Sequence, residues 1–254
     1  MNQDISQLLQ EWPYNPSSNI RIIKINDETE VLQVRKPLGI EQYDLDGRPD
    51  GKKPKDMDFV IDYFEDKLVQ HRKAHGGDKA FALSHEDFLM LQEEAQYNYF
   101  RYVILFQIGD MDRTIRDTEQ NLKICDFVET YCRNAEDRDQ LLQYKPYIIR
   151  INAVARAMIA MKQGMTTLSR EIVEAAVTEI KNLTEINNIT FQFEKVRSLN
   201  YLKVTLSELD SDKSFSRLET LKLELEDAVK IENYEKAAEI RDRIKALTKH
   251  GPKD

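Results

Sequence analysis

The chain of 254 residues predicts an α+β fold that is mostly α: a small antiparallel sheet with a covering helix, then a helical-hairpin, repeat-like bundle and a C-terminal αα-hairpin. Two observations carry this expectation. Five of seven prolines fall within the first 54 residues and five of eight glycines within the first 77, so irregular and β structure belongs there and long helices belong after it. Beyond Ser84, apolar residues recur at spacings of three and four, the period of an amphipathic helix. At 41% hydrophobic and 9% aromatic, the chain has enough apolar side chain for a true core. The expected units are residues 1–78, 79–210 and 214–249.

In the first unit, Ile5, Leu8, Leu9 and Trp12 share one face of a short helix from Asp4 that Pro13 halts. Residues 20–25, 31–35 and 40–45 are β-rich runs, separated by turn-forming Asn26-Asp27-Glu28-Thr29-Glu30 and Pro37-Leu38-Gly39. They read as an antiparallel meander. A helix over 55–73, with Val60, Ile61, Phe64 and Leu68 at helical spacing, is the natural cover for its apolar face. Gly76-Gly77 ends the unit.

Ser84 caps the next helix in a box-like arrangement with Asp87, and the helix runs to Ile108. Tyr97, Tyr99, Phe100, Tyr102 and Phe106 occupy more than one of its faces, which predicts a helix packed on several sides. After Gly109-Asp110, the stripe Met111, Ile115, Thr118, Leu122, Cys125 and Val128 defines another helix, closed by Asn134. Pro146 marks a kink or the first turn of a helix to Lys162, whose alanines 153, 155, 157 and 160 allow close packing before Gly164. Two more helices, 169–183 and 191–209, complete the middle. The run Gly109-Asp110-Met111-Asp112-Arg113-Thr114-Ile115-Arg116-Asp117 is similar to the turn of a tetratricopeptide repeat, with over-long helices and with Thr114 and Asn121 in place of alanines. That resemblance implies a concave, protein-binding surface. The alternative is a plain helical bundle.

The C-terminal residues carry the sharpest pattern. Leu218, Leu221, Leu225 and Ala228 recur at helical spacing up to a polar break at Glu232-Asn233, flanked by Ile231 and Tyr234. A second helix then places Tyr234, Ala237, Ala238, Arg241, Ile244 and Leu247 on one side. Small alanines let the two backbones approach closely, and Glu239 with Arg243 makes an i,i+4 ion pair outside. The polar run from Glu208 to Ser214 reads as a linker. These residues resemble the UVR motif of the B and C subunits of the bacterial excision endonuclease, which also occurs in a Clp-type ATPase and in an arginine-kinase activator. Tyr234 stands where that motif usually has phenylalanine, and Leu225 where it often has methionine. The resemblance implies a protein-docking hairpin without catalysis of its own. A hairpin of this size cannot bury its apolar side alone and needs a second surface, from another protein, a second copy or its own chain.

Chemistry is sparsely signalled elsewhere. A net charge of -8 and a pI near 5.2 argue against a broad nucleic-acid footprint, which needs clustered Lys and Arg. The loop 46–55 holds Arg48, Lys52 and Lys53, the first residues to consider for an anionic ligand, but it lacks the spacing of a P-loop and reads better as a solvated turn. His71 and His75 are four apart, without the glutamate of a metalloprotease helix and with Arg72 and Lys73 between them, so no metal is expected. Cys125 and Cys132 read as small apolar fillers. No nucleophile–base pair has local support, and no cofactor is called for. No apolar run approaches a membrane span and the N-terminus is polar, which places the chain in the cytoplasm.

The expected function is that of a non-catalytic bacterial adaptor. Leu221, Leu225, Ala228, Tyr234, Ala237, Ala238, Ile244 and Leu247 would form its seam and docking face, and Glu235, Arg241 and Asp242 would set orientation. By resemblance the partner is an excision-repair subunit or a quality-control kinase or ATPase. The alternative is an accessory factor of nucleotide-excision DNA repair acting on nucleic acid.

Overall fold

The computed structural model describes residues 4–25, 29–210, 221, 222, 224, 225, 228, 229 and 234–249. The chain divides into two compact units, Met1–Asp110 and Met111–Asp254. The expected linker Ser211 to Ser214, and Leu218, lie outside the described residues.

The first unit opens with helix α1 (Ser6–Glu11), followed by strands β1 (Ile20–Lys24), β2 (Glu30–Lys36) and β3 (Gly39–Asp44). They form an antiparallel sheet in the order β1-β2-β3, with Leu32 opposite both Ile22 and Tyr43. Strand residues alternate between faces, so Leu32 and Val34 share one side while Val31, Gln33 and Arg35 share the other. The two sides are closed differently. Leu32 clusters with Leu45 and with Leu105 of α3 (His85–Ile108), flanked by Ile104. Opposite, Arg21 donates to Gln33 at 2.9 Å and Gln33 to Gln42 at 2.7 Å, a polar rung along the register. Arg35 Nε donates to the Trp12 carbonyl at 2.7 Å, and Arg21 lies over the Trp12 ring. The segment after α1 is thereby fastened to the sheet.

The expected boundary lay at Gly76-Gly77, yet α3 belongs to the N-terminal unit. Two buried polar side chains on α3, Glu94 and Arg101, supply the physical reason. Helix α2 (Val60–His75) has Phe59 at its N-cap and no side-chain cap, leaving first-turn amides without partners. Glu94 of α3 accepts from Val60 N at 2.6 Å and Ile61 N at 3.2 Å, capping α2 from a neighbouring element. Arg101 Nη1 donates to the carbonyls of Asp44 at 2.6 Å and Gly47 at 2.9 Å, holding the loop after β3. That loop also needs glycine: Gly51 sits at φ +70, and a Cβ there would meet Asp44 Oδ2 at 2.6 Å. Leu105 then completes the cover over the sheet. The capping box is present in both directions, Asp87 N to Ser84 Oγ at 3.1 Å and Ser84 N to Asp87 Oδ2 at 3.0 Å. Of the aromatic residues on α3, Phe88 and Tyr102 are buried while Tyr99 and Phe100 are 42% and 39% exposed, so the helix is not enclosed on every side.

The second unit contains α4 (Met111–Tyr131), α5 (Ala135–Leu142), α6 (Lys145–Lys162), α7 (Thr166–Asn182), α8 (Ile189–Asp210) and α9 (Tyr234–Lys249). Helix α5 was not expected. Asn134, read as the end of α4, is its N-cap and accepts from Glu136 N and Asp137 N. Helix α6 lies at the centre, packed against α4, α7 and α8. Its alanines 153, 155, 157 and 160 are all buried, and Pro146 occupies its first turn. Polar ties fix its rotation: Asn152 Nδ2 donates to Thr118 Oγ1 at 2.9 Å, and Lys145 Nζ lies 2.8 Å from Asp126 and 2.6 Å from Glu129. Both cysteines are buried and free, with the Cys125 thiol pushed up to about 12 by burial. Among the described residues, no helix is long and apolar enough to cross a membrane.

Candidate protein-docking site

The C-terminal hairpin is seated on its own bundle. Leu221, Ala228, Ala237 and Ile240 form one buried cluster with Phe193 of α8, and Leu225 and Ile244 pack against its edge. Residues 221, 222, 224, 225, 228 and 229 are helical, and α9 follows as the second arm. The seam of α9 is Ala237, Ile240 and Ile244, at spacings of three and four. Ile240, fully buried, was absent from the expected face although its spacing to Ala237 and Ile244 marked it. Arg241, placed on that face from sequence, is instead exposed and pairs with Asp242 at 3.3 Å. Ala238 is half-buried. Helix α9 includes Tyr234, Glu235 and Leu247, whose side chains lie outside the described residues.

Away from the seam the described hairpin residues carry ion pairs. Glu239 bridges Arg243 at 2.7 Å and Lys236 at 2.5 Å, and the first of these is the expected outer i,i+4 pair. Lys236 holds the Glu239 carboxyl below the usual range. Among the described hairpin residues, Val229 is the exposed large apolar side chain.

Beside the apolar seam lies a buried charge cluster that the sequence reading did not find. Glu224 of the hairpin is 3.1 Å from Arg197 of α8 and 4.0 Å from Arg150 of α6. Arg197 also meets Glu194 at 3.5 Å. Arg150 is only 3% exposed and lies 5.0 Å from the ring centroids of both Tyr147 and Tyr201. Its Nε and Nη1 have no hydrogen-bond partner among the described residues. Burial, reinforced by the positive charge of Arg197, lowers Arg150 from its usual range. At Arg197 burial acts the same way, but Glu224 and Glu194 outweigh it and raise the group. A signal existed: Arg150 interrupts the apolar run Ile148-Ile149-Arg150-Ile151.

The other residues named from sequence are disposed differently. Arg48 is 5% exposed, bonded to Asp50 at 2.9 Å and Glu93 at 2.5 Å, with its guanidinium 5.1 Å from the Tyr97 ring centroid. Its charge is thus spent on one carboxylate of the loop, Asp50, and one of α3, Glu93. Lys52 and Lys53 are exposed, the latter 2.8 Å from Asp58. His71 and His75 stack at 4.2 Å, and His75 Nδ1 faces the His71 carbonyl, with the ring of Phe81 beside His71. Among the described residues, no three His, Cys, Asp or Glu side chains converge as metal donors.

No curated protein and no solved structure matches the chain. The family model described as the UvrB/uvrC motif matches residues 216–249, the same segment that folds back on Phe193. This chain is a UVR motif-containing protein, with the motif confined to its C-terminal hairpin.

Proposed function

We propose that the chain is a non-catalytic adaptor that docks a protein partner through the UVR hairpin. The observation that carries this reading is the division of the hairpin into an apolar seam on Phe193 and an outer face laced with Glu239–Arg243 and Arg241–Asp242 ion pairs. Exposed pairs of that kind contribute about 0–1 kcal/mol each, too little to anchor a complex. Protein interfaces draw their energy from buried apolar anchors. The partner therefore takes the seam, exchanging with Phe193, while the outer charges set its orientation. Partner classes follow the resemblance: an excision-repair subunit, or a quality-control kinase or ATPase. The acidic balance of the chain disfavours direct action on nucleic acid.

Affinity capture with the full chain tests this. Phe193→Ala weakens the internal seat and leaves the hairpin sequence intact, whereas Ile240→Asp spoils the seam itself. A protein recovered by the wild type, enriched with Phe193→Ala and lost with Ile240→Asp supports the adaptor role. Recovery indifferent to both substitutions would refute it, and salt-sensitive DNA binding lost with Ile240→Asp would transfer the reading to repair on nucleic acid.

A further inference from the structure

The geometry points to a carboxylate-binding site in the bundle, built from Arg150 and Arg197 beside the rings of Tyr147 and Tyr201, with Glu224 of the hairpin as its resident ligand. An acidic side chain of the docking partner takes the same place when the hairpin lifts.

Four observations converge on it. First, the arginines come from different helices, α6 and α8, and both approach the same Glu224 carboxylate, at 4.0 and 3.1 Å. Second, the site is shielded from solvent: the Glu224 side chain is 8% exposed, that of Arg150 3% and that of Arg197 14%. Third, the site is under-filled. Arg150 keeps two donors, Nε and Nη1, without a hydrogen bond among the described residues, Nη1 reaching Glu224 only at 4.0 Å, so its capacity to bind an anion exceeds what Glu224 supplies. Fourth, the positive charge needs a counter-ion. With Glu224 withdrawn, two arginines share the single carboxylate of Glu194, which lies 3.5 Å from Arg197 and also acts on Arg150, so the cluster is left one negative charge short.

A buried cation without a counter-ion is costly, and a guanidinium has a planar fork suited to carboxylate. Lifting the hairpin therefore requires more than separating Leu221, Ala228, Ala237 and Ile240 from Phe193. It also requires a replacement anion for the Arg150–Arg197 pair. A partner that offers both an apolar helix face and an acidic side chain meets both needs, whereas an apolar surface alone leaves two buried arginines with only Glu194 between them. The site thus favours acidic partners and holds the hairpin closed without one. The partner's part in this rests on the docking role above, but the site itself can be tested without any partner.

The test follows amide hydrogen exchange along the full chain carrying Glu224→Ala. Exchange over residues 234–249 should accelerate tenfold or more, while amides of α6 keep wild-type protection. Added formate, compared with chloride at equal ionic strength, should restore the protection by entering the vacated place, and Arg197→Leu on the Glu224→Ala background should abolish that rescue. Unchanged exchange in Glu224→Ala, loss of protection throughout the bundle, or formate acting no better than chloride would each overturn the proposal. None of these outcomes bears on whether the seam binds a protein, which the capture experiment decides separately.

Discussion

Glu224 stands 3.1 Å from Arg197, so the hairpin that carries the UVR motif is joined to the bundle by charge as well as by apolar contact. The two attachments differ in character. The seam on Phe193 is non-directional and scales with area, while the ion cluster demands a specific geometry and fixes where the hairpin sits.

Phe193 is 3% exposed beneath four buried hairpin residues. Replacing it with alanine should weaken hairpin docking by about 3 kcal/mol, the lower range for a buried phenylalanine, because the hairpin can settle partly into the space. Differential scanning calorimetry should show an early transition for the hairpin ahead of an unchanged bundle transition. A single transition at the wild-type midpoint would mean the seam contributes little.

Glu94→Ala removes the carboxylate that caps α2 from α3 and orphans the amides of Val60 and Ile61. The expected loss is about 1–3 kcal/mol per orphaned buried donor, with the N-terminal unit most affected. The pH dependence has a definite sign. Burial raises the folded-state pKa of Glu94 despite its two amide bonds and Arg48. The folded state thus binds that proton more tightly than the unfolded chain does. Its contribution is complete below the ordinary glutamate value of 4.5 and declines as pH rises through the higher folded value. Urea titrations of wild type and variant should therefore diverge as the solution is acidified toward that value. Parallel curves would show that Glu94 does not titrate in this window.

Arg48→Ala should destabilise the N-terminal unit by about 2 kcal/mol, since it strips charged hydrogen bonds from Asp50 and Glu93. Lys52→Ala and Lys53→Ala should leave the thermal midpoint where it is, as both side chains are exposed. Phosphate protection of the wild type against heat, lost in the lysine variants, would restore the loop as an anion site.

Neither thiol should react with an alkylating reagent in the native protein at about pH 8, because burial pushes Cys125 up to about 12 and raises Cys132 as well. Both should be modified promptly once the chain is denatured. Mass spectrometry after a short pulse reads the outcome, and rapid native labelling of Cys125 would contradict its burial.

The local elements were legible because their causes are local. Alternation in residues 20–45 produced the strands within a residue or so of their ends, the Ser84–Asp87 box started α3, and Pro146 took a helix's first turn. The αα-hairpin and its family resemblance were likewise readable from spacing and side-chain size, and the family match covers the same residues. Helix α5 escaped because it is eight residues long and weakly patterned, and Asn134 ends one helix as readily as it begins another.

Tertiary structure alone decided what the hairpin's apolar side meets. Periodicity identifies which residues want cover but carries no address for the cover, so Phe193 could not be chosen from the many apolar residues of α8. The same holds for Glu94 with Val60 and for Glu224 with Arg150 and Arg197. Each is a contact between residues distant in sequence, formed because burial leaves a donor or charge that must find a partner nearby in space. The sequence by itself determined the helices, the strands and the oily stripe of the motif; the folded chain determined that the stripe is already seated and that a charge holds it there.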